Sequence, residues 1–186
     1  GAIVDKGEIF QVIQSILKGD KVLAIVAPAF IGQFSGMVSP GKLVTAMKML
    51  GFDSVVEVAI GADMCTIEED KDFLEKVPGE QDYMATSCCP AWHSMIGKLF
   101  PSESKKISMT LTPMVFTARL MKKEHPGCKV VFVGPCAAKK LEAIRADIRS
   151  DVDFVLTFEE LMGMFEAKEI DFAALEESEG LNEGSV

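Results

Sequence analysis

Apolar and polar positions alternate along the chain in blocks that predict strands and helices in turn. Near-continuous apolar runs are typical of strands that are buried on both faces of a sheet. Such runs and two shorter ones predict strands at 21–27, 54–60, 82–87, 129–133 and 153–156. Helical spacing and helix start signals predict helices at about 6–18, 40–50, 66–77, 91–99, 113–124, a short stretch around 139 and 158–167.

Start signals strengthen most of these helices. Ser39 before Pro40 supplies a cap followed by proline at the first helical position, and Thr112 before Pro113 repeats the pattern. Three further pairs have the spacing of a capping box, namely Asp5 with Glu8, Thr66 with Glu69 and Thr157 with Glu160. Strand and helix therefore alternate about five times. This predicts an α/β fold with a parallel sheet of about four to five strands and helices on both faces.

Unusual residues stand directly after the predicted strands. Pro28 follows the first strand and Gly61 the second, while Cys88, Cys89 and Cys136 follow later ones. The carboxyl ends of parallel strands meet at one edge of the sheet, where open α/β sheets bind their ligands. We therefore expect these residues to line one site.

The composition narrows the class of function. With 186 residues, 48% of them hydrophobic, the chain can form one domain with a proper core. The net charge of -9 argues against nucleic acid and anionic membranes as partners. No apolar run approaches the roughly 20 residues that span a bilayer, and no signal peptide is visible, so we expect a cytoplasmic protein. The acidic stretch 176–186 is predicted to be a disordered tail behind a domain at 1–175.

The cysteines carry the candidate chemistry. Adjacent Cys88 and Cys89 do not readily bond to each other because the small ring is strained. Five cysteines without disulfide spacing indicate a reducing compartment, where such residues are metal ligands or redox groups. A thiol oxidoreductase would need a Cys-x-x-Cys pair, which the sequence lacks. Buried structural thiols are the alternative, and we prefer it for Cys65 and Cys128.

Two stretches resemble the first two signature loops of the catalytic domain of iron-only (FeFe) hydrogenases. They are TSCCPAW at 86–92 and VGPCAAKKLE at 133–142. Further matches follow in the order of that family at Ala27-Pro28-Ala29, Gly61-Ala62-Asp63, Glu68-Glu69 and Thr112-Pro113. The resemblance implies one lobe of that domain. The third loop of the family, with two more cysteines, is absent from the sequence, so we expect a piece of a larger protein whose second lobe is missing.

The resemblance assigns roles to single residues. Cys89 and Cys136 match ligands of the four-iron cubane of the H-cluster, and Cys88 matches the thiol that carries protons to the two-iron subsite. Lys139 matches a donor to a cyanide ligand of that subsite. The other matching positions at the cofactor are Pro28, Thr112, Pro113 and Pro135.

The resemblance also implies a proton path from the subsite to the surface. Its members would be Cys88, Glu69, Ser108 and Asp72, the last being Asp where the family commonly has Glu. Glu69 and Asp72 are three residues apart and share a helix face. The alternative is that Glu69 only caps a helix at Thr66 and that Asp72 is a solvated charge.

The resemblance and the local pattern assign no firm role to several charged residues and histidines near these loops. Glu142 either closes the second loop or is a helix-surface charge, and Lys140 is interpreted as a solvated surface lysine. His93 and His125 have no partner pattern and are given no role.

The implied activity is the reversible reduction of protons to hydrogen, with electrons from ferredoxin-like domains or ferredoxin, as in anaerobes. Gly134 stands where catalytic members of the family usually have Met. This favours a divergent or hydrogen-sensing member, and an iron–sulfur assembly protein is a further alternative that Cys88 disfavours. This chain holds only two of the four thiolates that a cubane needs, so by itself it is expected to be inactive, without cofactor, and to self-associate through its open edge.

Overall fold

The described part of the chain forms four strands and seven α-helices. The structure is a computed structural model and describes residues 6–34, 38–86 and 88–181. The strands are β1 (Val22–Val26), β2 (Ser54–Glu57), β3 (Lys129–Gly134) and β4 (Phe154–Thr157). The helices are α1 (Ile9–Leu17), α2 (Pro40–Leu50), α3 (Ala59–Lys76), α4 (Pro90–Leu99), α5 (Pro113–Glu124), α6 (Ala138–Ala143) and α7 (Phe158–Ala167). Two short 3-10 helices lie at Pro28–Phe30 and Ser104–Lys106.

The four strands form one parallel sheet in the order β2-β1-β3-β4. In the centre, Ile25 of β1 is in register with Val56 of β2 on one side and Phe132 of β3 on the other. Every residue of β1 is buried, and so is β3 from Val130 onward. Two covered faces explain why these strands are near-continuous apolar runs. The predicted α/β fold with a parallel sheet is confirmed.

Two groups of helices cover the sheet. On one side α5 lies against β1 and β3, and α3 packs on α5. The other group contains α1, α2 and α7, which contact one another and the strands β2, β3 and β4. Phe34, Phe158, Phe165 and Phe172 form edge-to-face contacts beside α7. The core therefore lies on both faces of the two central strands.

The strand order creates a crevice between the carboxyl ends of β1 and β3. The chain leaves β1 through α2 to β2 on one side, and leaves β3 through α6 to β4 on the other. Neighbouring connections that diverge in this way mark the point where open α/β sheets bind ligands. Pro28 follows β1 at this point, and Cys136 follows β3.

Three of the predicted helix starts are confirmed. Ser39 Oγ accepts a hydrogen bond from the Lys42 N–H, 3.2 Å away, and Pro40 is the first residue of α2. Thr157 and Glu160 form the predicted capping box of α7. Pro113 is the first residue of α5, after Thr112.

The predicted helix start at Thr66 is wrong, because α3 begins directly after β2. Thr66 lies in the second turn of α3, and its hydroxyl donates to the Ala62 carbonyl at 3.0 Å. The residues at 59 and 60, predicted as strand, are helical. Gly61 permits this early start, because a Cβ there would collide with Thr117 and the Pro113 carbonyl of α5.

The predicted strand at 82–87 is also wrong. Its described residues contribute only a single bridge between Ala85 and Ile107. Asp82 forms an ion pair with Lys106 at 2.8 Å, outside the four-stranded sheet. Ser87 lies outside the described residues.

Both ends of the described chain are tied to its core. Glu8 Oε2 accepts a hydrogen bond from the Val155 N–H at 2.7 Å, while its predicted capping partner Asp5 lies outside the described residues. In the acidic stretch predicted to be disordered, residues 176–181 have no regular structure but lie along α2. There Thr45 Oγ1 donates to the Glu176 carbonyl at 2.9 Å. Residues 182–186 lie outside the described part.

Candidate functional site

The double-cysteine loop is fixed by the start of α4. Cys89 occupies the cap position, and its Sγ accepts the Trp92 N–H at 3.5 Å. The indole Nε1 of Trp92 donates to the Thr86 carbonyl at 3.2 Å, which closes the loop from 86 to 92. The Cys88 side chain is exposed and Cys89 is half-buried. The loop therefore presents one free thiol and one that is partly covered.

Lys139 connects this loop to the loop after β3. Its Nζ donates to the carbonyl of Cys88 at 2.8 Å and to Oε2 of Glu142 at 2.6 Å. Cys136 lies half-buried between Pro135 and the start of α6, one turn before Lys139. The two loops that the sequence singled out are thus neighbours, although only the second of them follows a strand of the sheet.

Glu142 is buried at the centre of this contact, with 2% of its surface exposed. Its Oε1 accepts a hydrogen bond from the Thr112 hydroxyl at 2.5 Å, while Oε2 binds Lys139. Interpreting Glu142 as a surface charge is therefore wrong. Thr112 makes no side-chain cap bond to α5, because its hydroxyl is directed to this carboxylate.

Lys140 was predicted to be solvated, and this is wrong. The residue is 8% exposed, and its Nζ lies 2.9 Å from Glu160 Oε1. The other oxygen of Glu160 accepts the Thr157 N–H at 2.8 Å, at the start of α7. Lys140 therefore ties α6 to the capping box of α7, and neighbouring lysines of one short helix have different partners.

Phe132, two residues earlier on β3, leaves no space for a side chain at Gly134. A Cβ at Gly134 would lie 2.5 and 2.6 Å from the ring of Phe132, and 3.4 Å from Ala27. The ring is buried, and the Nζ of Lys139 lies 6.0 Å from its centroid. The space that a side chain at 134 would occupy is therefore filled by an aromatic ring.

The inner face of α3 is polar after its first turn. Gly61, Cys65, Glu69 and Asp72 are all less exposed than the residues beside them, and Lys76 is half-buried. Their spacing of four, four, three and four residues places them in one stripe. We call these five residues the α3 stripe. Its first member packs on α5 and its last members reach the surface.

Cys65, to which the sequence interpretation gave no role, lies in the α3 stripe one helical turn before Glu69. The side chain is 6% exposed. Burial, the negative charge of Glu69 and the nearby Cys88 raise the pKa of Cys65 to about 11, against the opposing effect of Lys139.

Ser108 and Asp72, two members of the expected path, lie in different surroundings. Ser108 is buried, and its N–H donates to the Ala85 carbonyl at 2.8 Å, near the start of the double-cysteine loop. Its hydroxyl accepts the N–H of Thr110 at 3.2 Å. Asp72 pairs with Lys76 at 2.5 Å beside an open cavity of about 390 Å³.

The remaining predicted residues divide between the site and the rest of the fold. Pro28 begins the 3-10 helix after β1 and is exposed. His93 lines the large cavity next to the double-cysteine loop. His125 accepts a hydrogen bond from Lys21 at 3.1 Å, near the opposite end of the sheet.

The site opens on one side into an apolar cavity of about 790 Å³. Residues of α4 and α6 line it, together with Met109 and Thr112. Met109 and Leu141 are 74% and 68% exposed, so this side of the site lacks the cover that apolar side chains usually have.

The donor set decides which metal group these residues fit. Half-buried Cys89 and Cys136 are thiols of the kind that hold iron–sulfur clusters. Within 6–34, 38–86 and 88–181, no three His, Cys, Asp or Glu side chains come together in a way that could hold a metal ion. The described residues therefore fit a cluster as two of its ligands. A search of the same residues finds no helix long and apolar enough to span a membrane.

Known proteins are similar to nearly the whole chain. The sequence profile of the family described as iron only hydrogenase large subunit, C-terminal domain, matches residues 20–185. Iron hydrogenase 1 of Clostridium pasteurianum is 32% identical over 152 residues, which cover 75% of this chain and 26% of that protein. The cytosolic Fe-S cluster assembly factor NAR1 of Meyerozyma guilliermondii is 31% identical over 152 residues, covering 72% of this chain and 29% of that protein.

Solved structures share the fold. A variant of the apo [FeFe]-hydrogenase HydA1 from Chlamydomonas reinhardtii superimposes with a TM-score of 0.81 at 27% identity. The match covers 97% of this chain and 53% of that one. This chain therefore spans between about a quarter and a half of the length of the proteins compared here.

Proposed function

Because this chain belongs to the family of the iron only hydrogenase large subunit, C-terminal domain, we propose that it forms one lobe of a protein that interconverts protons and hydrogen. Its cofactor would be an H-cluster, a four-iron cubane joined to a two-iron subsite, which supplies the redox chemistry when bound. Cys89 and Cys136 would each give one thiolate to the cubane. Electrons would come from ferredoxin or ferredoxin-like domains in the cytoplasm of an anaerobe.

The structure supports different roles for the residues that would surround the cofactor. Cys89 lies at the N-terminus of α4, where backbone N–H groups stabilise negative charge on its sulfur. Lys139 is held by Glu142 and by the Cys88 carbonyl, so its ammonium group stays between the two loops. The hydrogen bond from Thr112 to Glu142 fixes the carboxylate that holds Lys139. These residues orient the site, and none of them needs to move during turnover.

The single observation that carries the proposal is the α3 stripe. A helix that packs on a core normally buries apolar side chains, but the most covered face of α3 carries a buried thiol and the partly covered carboxylates of Glu69 and Asp72. A proton relay requires such groups within reach of one another, each able to accept and release a proton. In the proposed relay the Cys88 thiol passes a proton to Glu69, and Ser108 and Asp72 continue the path to the surface. An ordered water would bridge any gap that the shorter Asp72 leaves.

The open apolar side would contact the second lobe of the same domain. Exposed Met109 and Leu141 border the cavity there. Without that lobe we expect this chain to hold no complete cluster and to self-associate through the same surface.

The test uses a protein that contains this chain and holds the complete cofactor. Cys88→Ala and Glu69→Gln should each lower hydrogen turnover by about two orders of magnitude or more, as expected for the loss of a proton-transfer group, while iron content stays unchanged. Glu68→Gln is the matched control, because Glu68 is exposed and binds Lys71 on the outer face of α3. Full turnover in both Cys88→Ala and Glu69→Gln would reject the proposed relay.

A second candidate is a member that senses hydrogen and does not turn it over at a high rate. The observation that favours it is Gly134, since the Phe132 ring takes the place of a side chain there. Hydrogen-dependent infrared bands of the cofactor without matching turnover would support this candidate.

Cluster assembly is the third candidate, and similarity to NAR1 favours it. A protein that holds only cubane iron and shows no CO bands in the infrared would support assembly over both other functions.

A further inference from the structure

A small cavity next to the double-cysteine loop is lined mainly by aromatic side chains. Its volume is about 230 Å³. The only tyrosine and the only tryptophan of the chain, Tyr83 and Trp92, line it together with Phe100. These three rings are 42%, 38% and 52% exposed, so the cavity is accessible from solvent. Neither the proposed relay nor the proposed contacts to the cofactor use it.

Two of the three rings are held in place by their own polar atoms. The indole Nε1 of Trp92 donates to the Thr86 carbonyl at 3.2 Å. The hydroxyl of Tyr83 donates to Oε2 of Glu103 at 2.5 Å. The donor groups of both side chains are therefore satisfied, and these two residues offer a ligand mainly the surface of their rings.

One carboxylate completes a wall that is otherwise apolar. Ala85, Ile96 and Ile107 also line the cavity, and both isoleucines are buried. Glu103 is the remaining lining residue. Its hydrogen bond with Tyr83 keeps the carboxylate beside the phenol ring. The cavity therefore combines aromatic rings with a fixed negative charge.

The charges at this cavity favour a cation. Lys106 forms ion pairs with Asp82 at 2.8 Å and with Glu103 at 3.1 Å, so two carboxylates share one ammonium group and one negative charge is in excess. The Nζ of Lys106 lies 4.3 Å from the centroid of the Tyr83 ring, so this ring already attracts a cation. Lys106 does not line the cavity, which leaves the space inside for a ligand.

A methylated ammonium group suits such a wall better than a bare one. A quaternary ammonium group is charged, but its surface is apolar and it has no N–H donor to satisfy. A primary ammonium group is strongly hydrated and loses more on entering an aromatic cavity. Pockets that enclose a drug-sized molecule measure roughly 300 to 1,000 Å³, so this smaller cavity has space for a headgroup only.

We propose that this cavity binds a trimethylammonium group. The methyl groups contact Tyr83, Trp92 and Phe100, and the carboxylate of Glu103 balances the charge. Free compounds of the choline type and a trimethylated lysine of a protein present the same headgroup, and the experiments distinguish the two sources. The proposal needs neither the cofactor nor the second lobe, so it stands or falls independently of the proposed function.

The first experiment uses the fluorescence of Trp92, which is the only tryptophan and lines the cavity. Choline chloride is titrated into the full 186-residue chain at constant ionic strength, with sodium chloride as the reference salt. We expect a saturable change in emission with a Kd of about 1 to 10 mM. The neutral carbon analogue of choline, dimethylbutanol, should bind at least about tenfold more weakly, because it lacks the charge. Equal Kd values for the two compounds, or no saturation with choline by about 100 mM, would overturn the proposal.

The second experiment separates attraction by the rings from simple apolar contact. Phe100→Leu keeps an apolar side chain but removes a ring, so the Kd of choline should rise about fivefold while that of dimethylbutanol changes less than about twofold. Glu103→Gln removes the charge and should weaken choline binding in the same selective way. Phe73→Leu is the matched control, because Phe73 is also partly exposed, at 43%, but does not line the cavity. Unchanged choline binding in both cavity variants would place the ligand elsewhere and reject the site.

The third experiment identifies the source of the headgroup. A short peptide with trimethyllysine is compared with choline and with the same peptide carrying unmodified lysine. Similar Kd values for the trimethyllysine peptide and choline support a free compound, and a peptide that binds at least about tenfold more tightly supports a protein. A lysine peptide that binds as well as the trimethyllysine peptide would contradict recognition of the methyl groups.

Discussion

The two ends of the sheet use their polar side chains in opposite ways. At the amino end, carboxylates accept hydrogen bonds from backbone N–H groups near the starts of β1 and β3. Asp53 accepts from Val22 at 2.7 Å, and Asp153 accepts from Val130 at 2.9 Å. Asp153 is also paired with Lys122 at 2.6 Å. Both partners of each of these contacts are residues of this chain, so the contacts stabilise the fold.

At the carboxyl end, polar contacts instead connect residues of the loops, while the cysteine side chains of these loops stay accessible. Lys139 and Glu142 are fixed by three short contacts, with each other, with Thr112 and with the Cys88 carbonyl, but the thiols beside them remain exposed or half-buried. A polar network that is complete in itself has a structural purpose. The network at the carboxyl end reaches only the backbone carbonyl of Cys88, so the thiols beside it are left for other contacts, and under the proposed function these would be with the cofactor.

The largest expected effect comes from breaking the amino-end network. Asp153→Ala leaves the buried Val130 N–H without its acceptor and removes the partner of Lys122, so we expect about 3 kcal/mol less free energy of unfolding in urea. Asp151→Ala is the control, because Asp151 pairs with Arg119, whose side chain is 45% exposed. Such a pair contributes less than about 1 kcal/mol. Equal losses in both variants would show that the network at Asp153 has no special importance.

A smaller effect is expected at the carboxyl end. In Gly134→Ala the new methyl group meets the Phe132 ring, and we expect a loss of about 2 kcal/mol from overpacking. Adding Phe132→Leu should recover part of this loss, which makes the pair non-additive in a double-mutant cycle. Gly97→Ala in α4 is the control, since nothing lies within 4 Å of its added methyl group. It should leave stability equal or slightly higher. Additive losses at 132 and 134 would contradict the coupling.

Acid titration should give the smallest effect. Burial raises the pKa of Asp153, but hydrogen bonds from Lys122, Val130 and Lys129 outweigh it and hold the pKa below its ordinary value of 3.8. A depressed carboxyl pKa adds stability that is fully present above the unfolded pKa and is lost as the pH falls through the folded one. The stability difference between the natural chain and Asp153→Asn should therefore narrow by about 1 kcal/mol between about pH 5 and pH 2. A constant difference would show that the Asp153 charge contributes nothing.

The sheet was predictable because its signals are local. Continuous apolar runs mark β1 and β3, and the caps at Ser39 and Thr157 fix the starts of α2 and α7. The start of α3 was not predictable from local pattern. The apolar residues at 59 and 60 continue the run of β2, and only the close approach of Gly61 to α5 places the helix there.

The site was predictable in its positions and less so in its contacts. The two cysteine loops were expected to meet, and Lys139 joins them through the Cys88 carbonyl, but the strand expected before Cys88 is not part of the described sheet. Partners of charged side chains depend on tertiary contacts, so neighbouring Lys139 and Lys140 could not be distinguished by sequence. The burial of Cys65 could not be predicted because it depends on which face of α3 turns inward, and that face follows from the unexpected helix start.

The α3 stripe has a consequence for the local unfolding of α3. Only Gly61 and Cys65 of this 18-residue helix are buried, while Ile67 and Leu74 are 56% and 77% exposed. A helix turn that buries little apolar surface unfolds locally at low free energy. We therefore expect amide hydrogens in the last two turns of α3 to exchange with solvent far faster than those of β1. The polar side chains that the proposed relay needs on this face leave little room for hydrophobic contacts, so the relay would reach water in the part of α3 that is expected to open most readily.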